Sequence, residues 1–207
     1  MPAAAQNTGN TTMTRIFRRA FWLAPAALLS GCISFGPEAP ESLLTLTSEE
    51  RAPVGAQVSA TEGNSIAVFE PVAPARLAQT RVPVQIDASS IAYLKDAVWV
   101  ERPARLFRRL LGETLRARGG LVVADDDDAA LMATNTLGGT LVDFGYDAPS
   151  SSVVVRFDAV RKREGAPPET RRFESVVPGV LPEANPVGVA LNQAANDVAR
   201  QVADWAR

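Results

Sequence analysis

The stretch Arg15 to Cys32, RIFRRAFWLAPAALLSGC, limits how much of this 207-residue chain is available to fold. Arg15, Arg18 and Arg19 precede an apolar run from Ala20 to Leu29, which is the order of a secretory leader. A spanning helix needs roughly 20 apolar residues; this run is about half that and contains Pro25, so it reads as a leader and not as a span. Leu29-Ser30-Gly31 directly before Cys32 matches a lipobox. The small residues let the chain lie extended in a peptidase groove, and the Cys32 thiolate is the nucleophile that takes up a diacylglyceryl group. The expected outcome is a signal peptide over residues 1–31 and a lipidated Cys32. Residues 1–12 read as an over-extended start, because Met13 opens a more compact leader.

About 175 residues follow the leader, enough for one domain with a real core. That domain must hold together without the usual covalent staples. Cys32 is the only cysteine and histidine is absent, so neither an internal disulfide nor a zinc or copper site is expected. A single thiol spent on lipid also suits an oxidising compartment. The formal net charge of -2 gives no footprint for nucleic acid.

Catalytic signatures are not visible. The serines sit in turn-like sequence without a GxSxG elbow, and Gly119-Gly120 and Gly138-Gly139 fit no phosphate-binding pattern. The run Asp125 to Asp128 lacks the alternating spacing, central glycine and closing glutamate of a calcium loop, and reads as a solvated turn. Asp143 and Asp158 are a carboxylate pair that sequence alone does not bring into working geometry. We therefore expect a protein without catalysis or cofactor.

Taken in order, residues 32–41 are a Gly- and Pro-rich tether and residues 42–207 the domain. SLLTLT (42–47), SIAVFEP (65–71), residues 82–86 and residues 90–94 read as extended pieces. Pro103 suits the first turn of a helix in which Leu106, Phe107, Leu110, Leu111 and Leu115 form one apolar face, ended by Gly119-Gly120. Arg105, Arg108, Arg109, Arg116 and Arg118 lie largely off that face. They read as a solvated surface, the alternative being a surface for anionic lipid headgroups or an acidic partner.

Leu121 to Ala124 is a short strand. Residues 136–146, with Thr140, Val142, Phe144 and Tyr146 on one face, and residues 153–160 flank the turn-like DAPSSS and predict a hairpin; residues 171–177 add a third antiparallel strand. A closing helix is capped by Asn185, begins at Pro186 and carries Leu191, Ala195, Val198, Val202 and Trp205 as its apolar stripe. The sum is an α+β domain, a mostly antiparallel sheet packed against two amphipathic helices. Tyr93 and Trp99 read chiefly as packing between sheet and helix, with a partner or lipid-contact surface as the alternative.

The lipobox with Cys32, the early SLLTL, the stretch RLAQTRVPVQIDASSIAYLKDAVWVERPARLFRRLLGETLRARGG and the closing ALNQAANDVARQVADWAR resemble the ABC-type transport auxiliary lipoproteins, the PqiC-like group. The most specific part is Ile91-Ala92-Tyr93, then Trp99 and Glu101-Arg102-Pro103. The resemblance implies a periplasm-facing lipoprotein serving a transporter built from an MCE-domain protein, a permease and an ATPase that moves lipids between inner and outer membranes, with contact to phospholipid or another lipid as a further expectation. The early strand lacks a tyrosine found in relatives, and no family site residue beyond Cys32 carries over. Ile33 in place of aspartate after Cys32 favours the periplasmic leaflet of the outer membrane. The other function considered is a structural envelope lipoprotein without a transport role.

Overall fold

A computed structural model describes residues 42–59, 64–118, 122–124, 133 and 135–206, all within one compact unit that spans Pro40–Arg207. Cys32, the tether, Gly119-Gly120, Leu121, Asp125 to Asp128, and residues 129–132 and 134 lie outside the described residues.

Among the described residues the elements run β1 (Ser65–Val68), β2 (Arg81–Gln85), β3 (Ile91–Val98), α1 (Pro103–Ala117), β4 (Val122–Ala124), β5 (Asn135–Asp147), β6 (Ser152–Lys162), β7 (Glu169–Pro178) and α2 (Ala184–Ala206). The seven strands form one mixed sheet. The long ladders are antiparallel, β5 with β6 and β6 with β7, and β2 pairs antiparallel with β3. The opposite edge of β5 is divided. Its first residues pair parallel with β1, which in turn pairs parallel with β4, and its last residues pair parallel with β2.

Both helices cover one face of the sheet. On β6 the alternation buries Val153, Val155, Phe157 and Ala159 beneath them and leaves Val154, Arg156 and Asp158 facing the other way. The ring of Phe107 on α1 meets Phe157 edge-on at 5.3 Å and Phe144 at 6.4 Å, and Phe144 also meets Trp99 at 5.6 Å. The five apolar α1 positions expected from spacing are all buried. On α2, buried Ala190, Ala194, Ala195, Ala199 and Ala203 surround the Leu191, Val198, Val202 stripe, and their small side chains allow close approach to the sheet.

Several local expectations change. Thr140 and Val142 do not share the buried face with Phe144 and Tyr146, because a register shift between Leu141 and Asp143 moves the alternation by one and buries Leu141 instead. The closing helix starts at Ala184, with the Val187 amide donating to the Glu183 carbonyl at 3.1 Å; Asn185 and Pro186 therefore sit inside the first turn, where a missing N–H costs no helical bond. Arg108 is not solvated. It is 9 % exposed, and its Nε donates to the Val68 carbonyl at 2.9 Å.

Candidate functional site

The SLLTLT segment makes only one sheet bridge, Leu44 beside Trp99, with the Leu44 amide donating to Val98 O at 2.7 Å and the Val100 amide to Leu44 O at 2.9 Å. From there residues 43–52 run as a strap across α2 and α1. The Thr47 amide donates to Asn192 Oδ1 at 2.8 Å, and Asn196 takes both the Glu49 amide and the Thr47 carbonyl. The Ala52 amide ends the strap on Glu113 of α1 at 3.0 Å. Gly188 makes room for it: a Cβ there would lie 2.6 Å from Leu44 Cδ2.

Electrostatics pins the same segment. Arg118, just past α1, grips Glu50 through two bonds of 2.7 Å and also contacts Asp204 of α2. These hydrogen bonds hold the Glu50 carboxyl below its ordinary range and raise Arg118 further. Glu49 pairs with Arg200 at 2.6 Å.

The sheet face away from the helices carries an ion-pair array. Asp143 sits between Arg76 (2.5 Å) and Arg156, and Arg156 Nε reaches Glu174 at 2.5 Å. Asp158 accepts both branches of Arg172 at 2.6 Å, which lowers its pKa. Asp143 and Asp158 are thus each committed to arginine. A cavity of about 380 Å³ opens on this face, lined by Arg76, Asp143 and Arg156, with Gly145 in its wall. A Cβ on Gly145 would lie 2.4 Å from the Pro83 carbonyl, so glycine is what lets β2 lie against β5 there.

Tyr93 and Trp99, read chiefly as packing with a partner surface as the alternative, have separate fates. Trp99 is 1 % exposed and belongs to the core, which agrees with the packing reading. Tyr93, on edge strand β3, is half-buried: its hydroxyl accepts from Gln79 Nε2, and the Arg81 guanidinium lies 4.8 Å from its ring centre. The remaining arginines of the α1 surface pair locally, Arg105 and Arg109 with Glu101 and Arg116 with Glu113. Sequence reading missed the strap's asparagines, since their partners lie about 145 residues away. Among the described residues no group of three or more acidic, Cys or His side chains gathers to hold a metal, and no helix is long and apolar enough to cross a membrane.

One layer of mixed sheet and one layer of two helices, closed by an N-terminal strap, define a single α+β domain. The family of ABC-type transport auxiliary lipoprotein components matches residues 45–203, and the chain belongs to it. Two solved structures share the fold. Protein XCC0632 from Xanthomonas campestris superposes with a TM-score of 0.65 at 15% identity, covering 79% of this chain and 94% of its own. A second, described as an uncharacterized protein, gives 0.62 at 16% identity, covering 80% of this chain and 100% of its own. No curated protein matches the chain.

Proposed function

We propose that this chain is the non-catalytic lipoprotein component of an ABC transporter that uses an MCE-domain protein to move lipids between the inner and outer membranes. The carrying observation is the family match over residues 45–203, which spans nearly all of the folded domain. The lipobox at Leu29 to Cys32 supports attachment through a lipidated Cys32, and Ile33 supports the periplasmic leaflet of the outer membrane. Several acyl chains on Cys32 make such an anchor durable where a single chain gives only marginal binding. Energy comes from a separate ATPase, and this chain contributes binding surfaces.

Affinity isolation of the tagged full chain from envelope extract tests the partners. The expected result is co-recovery of a permease, an ATPase and an MCE-domain protein; recovery of none of them, with unchanged outer-membrane lipid asymmetry on deletion, favours a structural envelope lipoprotein. Metabolic labelling with an alkynyl fatty acid tests the anchor. Label is expected on the wild type and absent from Cys32→Ala, and label on the variant excludes Cys32 as the acceptor.

A further inference from the structure

We propose that the arginine-rich outer surface of α1, together with Arg51 of the strap, is the face this domain lays against an anionic lipid bilayer. This rests on the reading of Cys32 as lipid-anchored and adds an orientation to it.

Charge balance singles out the face. Glu101 is shared by Arg105 at 3.2 Å and Arg109 at 2.5 Å, so one carboxylate serves two guanidiniums. Arg102 reaches Glu70 at 3.5 Å and Arg116 reaches Glu113 at 3.7 Å, while Arg51 donates from Nε to its own strap at Ser48 O. Leaving Arg116 aside, four guanidiniums, those of Arg51, Arg102, Arg105 and Arg109, stand against Glu70 and Glu101 among the described residues. On the bare sheet face, by contrast, Arg76, Arg156 and Arg172 are matched one for one by Asp143, Glu174 and Asp158. The excess also runs against the chain as a whole. The first 31 residues hold three arginines and no acid, so the formal -2 of the full chain leaves -5 after Cys32. A cationic face on a net anionic domain orients it in the field of an anionic surface.

Position supplies a second, independent reason. The anchor side of the chain reaches the fold at Leu44, whose backbone is bonded to Val98 and Val100, and Val100 leads directly into Glu101 and Arg102. Chain coming from the membrane therefore joins the domain where the arginine face begins. Leu43 and Val100, exposed by 51% and 44%, add apolar surface at that point. Leu44 lies twelve positions after Cys32; fully extended, those twelve steps reach about 40 Å, which holds the face within close range of the leaflet. Arg51 and Arg109 also line one open cleft of about 340 Å³ between strap and α1, in which Glu113 is the one acidic side chain.

Each basic side chain near an anionic leaflet contributes about fivefold in affinity, and a lipid tether makes even a weak contact effective by raising local concentration. The test is arginine modification by phenylglyoxal, read by mass spectrometry, on the lipidated full chain in nanodiscs with and without phosphatidylglycerol. Arg51, Arg102, Arg105 and Arg109 are expected to react at least about fivefold more slowly in the anionic discs, with Arg172 unchanged, and the protection is expected to vanish in molar salt. The double variant Arg105→Glu, Arg109→Glu is expected to lose the protection at Arg51 and Arg102 while keeping its thermal unfolding cooperative.

Equal reactivity in both discs overturns the proposal, as does protection centred on Arg172. Protection that needs an added envelope protein and not phosphatidylglycerol assigns the face to an acidic protein partner and also overturns it. A chain that fails to join nanodiscs refutes the anchor and not the face. In that case co-sedimentation of the same chain with phosphatidylglycerol vesicles decides: binding to these and not to phosphatidylcholine vesicles supports the face, and equal binding refutes it.

Discussion

Asn196 holds Thr47 across 149 residues of sequence. Its Nδ2 donates to the Thr47 carbonyl at 3.0 Å, its Oδ1 accepts from the Glu49 amide at 2.9 Å, and the side chain is 2 % exposed in the middle of α2. A buried amide that satisfies both its donor and its acceptor on a neighbouring backbone fixes that backbone at one register, here the register of the strap. Removing it leaves a half-buried N–H and C=O without their partner. Asn196→Ala is therefore expected to destabilise the domain by about 1–3 kcal/mol. In hydrogen exchange the Glu49 amide is expected to speed up far more than the amides of β6, whose ladder partners are untouched. Urea unfolding and site-resolved exchange on the same variant check both outcomes; unchanged exchange at Glu49 would show that the strap is held by other contacts.

A second strap contact is pH-dependent. Hydrogen bonds from Arg118 depress the folded pKa of Glu50 below its ordinary value of 4.5, and Arg118 stays charged throughout the accessible range. For a group with a depressed folded pKa, the unfolded chain takes up its proton first as pH falls. The stabilisation is thus complete above about 4.5 and is lost on acidification through the lower folded value. Glu50→Gln is expected to have a lower melting temperature than the wild type at pH 7, with the gap closing below pH ~4. Melting temperature measured across that range checks the sign; a gap that widens in acid would contradict it.

How legible this fold was in the sequence depended on the range of the interaction. The α1 stripe from Leu106 to Leu115 and the β5–β6 hairpin are local patterns, and both stand where periodicity put them. The parallel pairings of β1 with β4 and β5 were not legible, because a short apolar strand has the same alternation whichever way its neighbour runs. The shift at Leu141 to Asp143 was hidden for a related reason: a bulge inserts one residue into a period-2 pattern without a compositional mark. SLLTLT has strand composition but became a strap, since its main partners are Asn192 and Asn196 and not a strand. Helical spacing places the arginines largely off the apolar face of α1, but Arg108 is an exception that turns inward to Val68, and only the fold shows that Arg105 and Arg109 share one glutamate. Ion-pair geometry of this kind depends on which elements meet, and composition does not encode it.

The sequence does not distinguish Tyr93 from Trp99 as packing aromatics, and the fold separates them. Trp99 fills the core beside Phe144, so Trp99→Ala is expected to cost about 3–5 kcal/mol and to lower the amount of folded protein. Tyr93 loses one hydroxyl contact with Gln79 and one cation–π contact with Arg81, both near the surface, so Tyr93→Ala is expected to cost only about 1 kcal/mol. Tyr93→Ala is consequently the variant in which a loss of transporter co-recovery would report on contact. Denaturant midpoints of the two variants check the contrast, and similar midpoints would refute it.

The end of α2 is held by a residue for which lysine is no substitute. Arg161, 8 % exposed on β6, donates to the Trp205 carbonyl, one of the last carbonyls of the helix, and reaches Glu169 Oε2 from Nη2 at 2.7 Å. Its guanidinium also lies 4.4 Å from the Trp205 ring centre, and that ring in turn packs on Phe173 at 5.6 Å. A guanidinium meets all three demands together: several N–H groups in a fixed plane, a flat face for the ring, and a permanent charge at a helix C-terminus. A lysine ammonium keeps the charge but has no plane to stack and no fork to divide between carbonyl and carboxylate. Arg161→Lys is therefore expected to destabilise by about 1–2 kcal/mol although the charge is conserved. In exchange experiments the last turn of α2 is expected to open before its middle, where Leu191, Ala195 and Val198 are fully buried. Tryptophan fluorescence adds a direct readout, because a freed Trp205 ring shifts its emission toward that of a solvated indole. An Arg161→Lys protein with wild-type stability and emission would show that charge alone closes the helix.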